Sequence, residues 1–166
     1  MKTSISIDMA APPELVFALA RDVERWPQLL PHYVSVTVLE RRPDGRVVAR
    51  LIARRPFVPV LGIGLPVAWR SRSWSESETC RLRFIHQGGA TNGMDVTWRI
   101  EPLRIGARVT IDHDFRPRLA AWAWFIDTFF TRPVAGRTLA TFKAIAEATA
   151  TARADSERVQ ATKELV

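Results

Sequence analysis

The chain has 166 residues, 47% hydrophobic and 25% charged, with a formal net charge of +7 and a single cysteine, Cys80. This balance describes one globular domain rather than a disordered chain, and one cysteine excludes an intrachain disulfide and any cysteine-based metal cluster. The positive charge raises nucleic acid as a partner, but the arginines stand singly along the chain (Arg50, Arg70, Arg72, Arg81, Arg83, Arg99, Arg108) with Glu76, Glu78, Asp95 and Glu101 between them, a pattern that favours a solvated sheet face and no nucleic-acid role.

Thr3 to Asp8 alternates, with Ile5 and Ile7 on one side and Ser4, Ser6 and Asp8 on the other, and predicts a short strand. Ala10-Ala-Pro-Pro-Glu14 opens a helix, since proline is comfortable in a first turn and Glu14 suits the positive end of the dipole. Leu15, Val16, Leu19 and Val23 supply its buried face, and the helix ends before Arg25-Trp-Pro27. A second helical turn over Gln28 to Leu30 is closed by Pro31.

Tyr33 to Glu40 returns to period two, and Pro43-Asp-Gly45 turns the chain into a return strand over Arg46 to Ala53. Phe57 to Pro66 is apolar yet rich in proline and glycine, and reads as a loop lying over an opening. Val67 to Glu76, Thr79 to His86, Met94 to Glu101 and Ala107 to Phe115 read as further strands, joined by turns that include Gly88 to Gly93 and Arg104-Ile-Gly106.

Pro117 to about Thr149 predicts one long helix. Leu119 to Phe130 is apolar almost all round, while Leu139, Phe142, Ile145 and Ala146 mark a single buried face further on. Pro133 predicts a kink near Phe129 to Pro133. Residues 150 to 166 read as a fraying polar tail. A helix this apolar needs a cover, and consecutive hairpins supply one. The expected fold class is α+β: a curved antiparallel sheet of about seven strands wrapped around a long C-terminal helix, with two short helices after strand 1. The domain spans residues 1 to 150, and a core of this size leaves room for an internal cavity.

The stretches APPELVFALARDVERWPQLLPHYVSVTVLE from Ala11, GGATNGMDVTWRIEP from Gly88, GARVTIDHDF from Gly106 and RPVAGRTLATFKAIAE from Arg132 give the chain its resemblance to the START-like helix-grip superfamily, and within it to the polyketide cyclase/dehydrase family. The resemblance implies a deep pocket between sheet and long helix that takes an aromatic, polyketide-like or lipid molecule. It places pocket residues at Trp26, Leu30, Tyr33, Trp69, Met94, Val96, Trp98 and Ile111. The polyketide aromatase/cyclases it resembles carry an arginine on the strand matching Val67 to Glu76. An ungapped reading puts Ser73 at that position, with Arg70 and Arg72 on the other face.

Strand alternation independently sets Met94, Val96 and Trp98 on one face and Val109, Ile111 and His113 on another. Ring closure by aldol chemistry needs a base and a hydrogen-bond donor. His113, His86 and Tyr33 are the candidates, against the plainer reading that both histidines are satisfied core groups. Phe125 and Phe129 on the long helix are further ligand-contact candidates. About half of the six tryptophans should touch the cavity. Asp112 and Asp114 share a strand face expected to point outward, and no ligand cluster at metal spacing or phosphate-cradling loop is present, so no cofactor and no metal are expected.

The first residues hold no block of signal-peptide length, and the longest apolar run, Phe57 to Trp69, is broken by Pro59 and Pro66, so a cytoplasmic protein is expected. Two functions follow: a binder of a hydrophobic ring-bearing molecule with cyclase or dehydratase activity, or a non-catalytic lipid or quinone carrier. In the carrier, the 57–66 loop and the aromatic start of the long helix would form a gate that touches a membrane surface transiently or a second subunit in a homodimer.

Overall fold

The computed structural model describes residues 1–58 and 63–164, with side chains described for 1–54 and 66–163. Seven strands form one antiparallel sheet: β1 (Lys2–Met9), β2 (Tyr33–Arg41), β3 (Val47–Val58), β4 (Ile63–Glu76), β5 (Arg81–His86), β6 (Asp95–Pro102) and β7 (Ala107–Asp114). Their order across the sheet is β1-β7-β6-β5-β4-β3-β2, so five hairpins run in sequence and β1 closes against the last strand. Two short helices, α1 (Pro13–Arg21) and α2 (Trp26–Leu29), carry the chain from one edge to the other. The C-terminal rod is α3 (Ala120–Ile126), a wide π turn (Asp127–Thr131) and α4 (Arg132–Glu164), helical throughout. This is the expected helix-grip arrangement.

The strands exist for the reason the alternation gives. On β5 and β6, Leu82, Phe84 and His86, then Val96, Trp98 and Ile100, are buried while their neighbours face outward. On the helix, Ala135, Leu139, Phe142 and Ala146 are buried at spacings of four, three and four, the stripe that seats a helix on a sheet. The turn from β6 to β7 needs Gly106. Its φ is +81°, and a side chain there would run into the Met9 carbonyl.

Four local expectations are corrected. The 57–66 segment is not a free loop: β3 and β4 continue into it, with Arg54 opposite Pro66, Pro56 opposite Gly64 and Val58 opposite Ile63. Residues 59–62 lie outside the described residues. The simple alternation over 33–40 is broken by register shifts between Tyr33 and Ser35 and between Val38 and Glu40. These turn Tyr33 inward and leave Val34 exposed.

In place of a simple kink near Pro133, the helix opens into the π turn. Proline cannot donate to the carbonyl one turn back, and a widened turn absorbs that missing bond. Finally, residues 151–163 are helical and exposed rather than a fraying tail. Good helix formers (alanines with Arg153, Glu157, Arg158, Gln160 and Lys163) and the Asp155–Arg158 pair three residues apart favour the helix there without a core.

Candidate functional site

The buried space between sheet and rod is built mostly of rings. Trp26 of α2 meets Tyr33 edge-on at 5.1 Å and lies 5.6 Å from both Phe84 and Trp98. Trp98 meets Phe142 of α4 edge-on at 5.6 Å. Further along, Trp69 contacts Tyr33 at 6.0 Å, Phe130 at 5.6 Å and His86 at 5.7 Å. Each ring is placed by period two on a strand or by one helical face, and the indole N–H of Trp26 is satisfied by the Ala20 carbonyl at 3.0 Å.

Among these rings lies a cavity of about 60 Å³. Of the residues singled out from sequence, Trp26, Tyr33, Trp69, His86, Met94, Val96, Trp98, Ile111 and His113 line it. Three of the six tryptophans are therefore on its wall. Leu51, Phe84, Phe130, Thr131, Val134, Ala135 and Thr138 complete it. That volume has room for no more than a few waters. Sites for drug-sized ligands run to about 300–1,000 Å³, so a ring-bearing guest requires rod and sheet to part.

Four sequence candidates lie off the cavity wall. Leu30 is fully buried in the core. Ser73 is buried, but its hydroxyl lies 3.4 Å from the Val47 carbonyl, in a separate hollow with Arg21, Glu24 and Trp74. No bulge shifts β4 against β5, so Arg70 stays exposed and Arg72 does not turn inward. Phe125 is exposed and packs on Trp122 and Phe129, and Phe129 also meets Trp124 edge-on. The helical face that points inward is Ala123, Ile126, Asp127, Phe130 and Thr131 instead.

The polar groups are few and buried. His86 shares a hydrogen bond between its Nδ1 and Thr91 Oγ1, 2.7 Å. Thr91 belongs to the turn that Gly89 presses against β4, where a Cβ would sit 2.6 Å from the Ala68 carbonyl. Burial lowers the His86 pKa to about 3, helped by the neighbouring His113. His113 is lowered to about 4 by burial, while Asp127, Asp112 and a hydrogen bond with the Thr3 backbone pull the other way. Both are neutral imidazoles at pH 7. Burial pushes the Tyr33 phenol up, keeping it protonated, against a weaker opposing effect from its hydrogen bond with Thr138.

Several participants carry no sequence signal of their own. Thr138 joins Tyr33 to His32, whose Nε2 is 2.8 Å from Thr138 Oγ1, and burial lowers His32 to about 4, with Arg137 adding to it. Asp127 is buried in the π turn, taking hydrogen bonds from Thr3 Oγ1 at 2.7 Å and Arg132 Nε at 2.9 Å. Asp112 pairs with Arg99 at 2.8 Å and Asp114 with Arg116 at 2.8 Å, so neither joins a catalytic carboxylate pair.

No helix among the described residues is long and apolar enough to cross a membrane. A candidate polyketide cyclase of Streptomyces cyaneus is 29% identical over 114 residues, 68% of this chain and 71% of that protein. The Zhui aromatase/cyclase of a Streptomyces species superposes with a TM-score of 0.73 at 19% identity, over 89% of this chain and 93% of its own. A START superfamily protein of Mycobacterium smegmatis gives 0.64 at 20% identity, over 90% and 97%. These structural likenesses speak for the fold. The family described as polyketide cyclase / dehydrase and lipid transport matches residues 9–143, and the chain belongs to it.

Proposed function

We propose that the protein binds a hydrophobic, ring-bearing or polyketide-like molecule between sheet and rod and closes or dehydrates a ring there. The observation that carries the reading is the aromatic-walled cavity with two neutral histidines and a protonated phenol on its lining. His113 is the base: its neutral ring takes an α-proton from the bound chain, the resulting carbanion attacks a second carbonyl carbon, and the alkoxide formed as that C=O π bond breaks takes the proton back from the imidazolium. The carboxylates of Asp127 and Asp112 favour the imidazolium this creates. Tyr33 donates to the oxygen where negative charge collects. In a dehydration the imidazolium returns its proton to the departing hydroxyl, which leaves as water. The Streptomyces relatives named for this chemistry support the assignment.

A second reading, a non-catalytic lipid or quinone carrier, is favoured by the exposed aromatic start of the rod. Leu119 is 71% and Trp124 63% exposed, with Trp122 and Phe125 beside them, on the segment that leads into the cavity-lining turn. Such a surface suits transient contact with a membrane or a second copy of the chain.

Solvent extraction of the purified protein followed by mass spectrometry identifies a resident ligand. Turnover of a matching poly-β-ketone by wild type and His113→Ala then separates the readings. Loss of turnover with binding retained supports catalysis at His113. Unchanged turnover removes His113 from the mechanism, and binding without turnover in wild type leaves the carrier.

A further inference from the structure

The hydroxyls of α4 share a habit that one residue breaks. Thr141, Thr149, Thr151, Ser156 and Thr162 each donate to the carbonyl four residues upstream, at 2.7 to 3.0 Å. Thr138 turns inward instead and meets His32. Thr131, at the end of the π turn and 3% exposed, does neither, and its Oγ1 has no partner among the described residues. A buried hydroxyl with a ready backbone acceptor normally uses it.

Thr131 lines the cavity from the rod, and His113 lines it from the sheet, its ring in a hydrogen bond with the Thr3 backbone and its buried Nδ1 without a further partner among the described residues. Among the described residues no carboxylate, ammonium or guanidinium lines this space. The nearby Asp127 carboxylate is engaged with Thr3 and Arg132. An anionic ligand group would thus lose its hydration and meet no cation, whereas a neutral oxygen would find an unpartnered hydroxyl and a neutral imidazole.

Building on the binding reading above, we infer that Thr131 and His113 form a polar subsite that receives one uncharged oxygen of the ligand, a phenol hydroxyl or ketone carbonyl, and that the cavity discriminates against carboxylates. Thr131 is then a specificity-determining residue contributed by the widened turn.

Titration of the full chain with phenol, benzene and benzoate at pH 7.5, followed by NMR, tests this. Phenol should bind about tenfold tighter than benzoate. Thr131→Val, which swaps the hydroxyl for a methyl, should weaken phenol about tenfold and leave benzene unchanged, and Thr131→Ser should restore phenol. An unaltered phenol-to-benzene ratio in Thr131→Val, or benzoate binding as tightly as phenol to wild type, overturns the subsite while the cavity reading stands. The benzoate comparison needs no variant and can overturn the subsite even if Thr131→Val fails to fold, in which case Thr131→Ser carries the test of the hydroxyl. If neither phenol nor benzene binds wild type, the cavity reading itself falls and takes the subsite with it.

Discussion

Thr3 on the first strand donates a 2.7 Å hydrogen bond to Asp127 in the wide turn of the rod, 124 residues away. Arg132 holds the other carboxylate oxygen at 2.9 Å. Thr3 also sits opposite His113 in the β1–β7 ladder, so this one contact ties the edge of the sheet, the candidate base and the helical irregularity together. Asp127→Ala leaves the buried Thr3 hydroxyl without its acceptor. It should destabilise the protein by about 2 kcal/mol, read as a lower urea midpoint at unchanged slope. An unchanged midpoint would show the contact to be incidental.

Two threonines about two turns apart on the cavity face of the rod should respond oppositely to the same change. Thr138 serves His32 and Tyr33, so Thr138→Val strands buried polar groups and should cost about 1–3 kcal/mol. Thr131 Oγ1 has no partner among the described residues, so Thr131→Val should be neutral or stabilise by up to about 1 kcal/mol. Thermal unfolding of the two variants checks the sign of each.

Acid sensitivity follows from the three buried histidines. Burial lowers His32, His86 and His113 to about 4, 3 and 4, whereas an unfolded histidine takes its proton near 6.5. Between those values the unfolded chain binds more protons, so stability falls as pH drops from about 6.5 toward 4, by roughly 1.4 kcal/mol per pH unit for each histidine. The surface carboxylates Asp8 and Asp114, lowered by hydrogen bonds from Arg108 and Arg116, begin to lose their contribution only near their unfolded values, at the acid end of this range. Urea midpoints should decline steeply from pH 7 to 4.5, and His113→Leu should flatten the decline by about a third. A midpoint independent of pH across that interval would mean the histidines are not held neutral.

The sheet was legible because alternation survives on β5 and β6, where one face is packed with large side chains and the other carries Arg83 and Arg99 paired with Asp95 and Asp112. It failed where the backbone departs from the regular ladder. The bulge after Tyr33 cannot be read from the run Tyr-Val-Ser-Val, since valine suits either face. The rod's inward face was hidden for a related reason. Leu119 to Phe130 is apolar almost all round, so it carries little phase, and Phe125 and Phe129 look as eligible as Phe130. Only tertiary packing selects Ile126, Asp127, Phe130 and Thr131. His32 follows Pro31 in a stretch that reads as a loop, and its partner Thr138 lies 106 residues on.

The exposed start of the rod bears on the carrier reading. Trp124→Ser removes an indole that is mostly in water, so stability should change by less than about 0.5 kcal/mol. If the carrier reading holds, sedimentation with phosphatidylglycerol vesicles should weaken severalfold in this variant. Equal sedimentation of both proteins would exclude this surface as a membrane contact.

The most direct test of the account is where an apolar guest goes. A ¹H–¹⁵N shift map during titration with 2-naphthol should show saturable changes centred on Trp69, Met94, Trp98, Thr131 and Ala135, the residues that face one another across the cavity. Changes confined to the exposed surface of α3, or no saturable change at all, would contradict a binding site between sheet and rod.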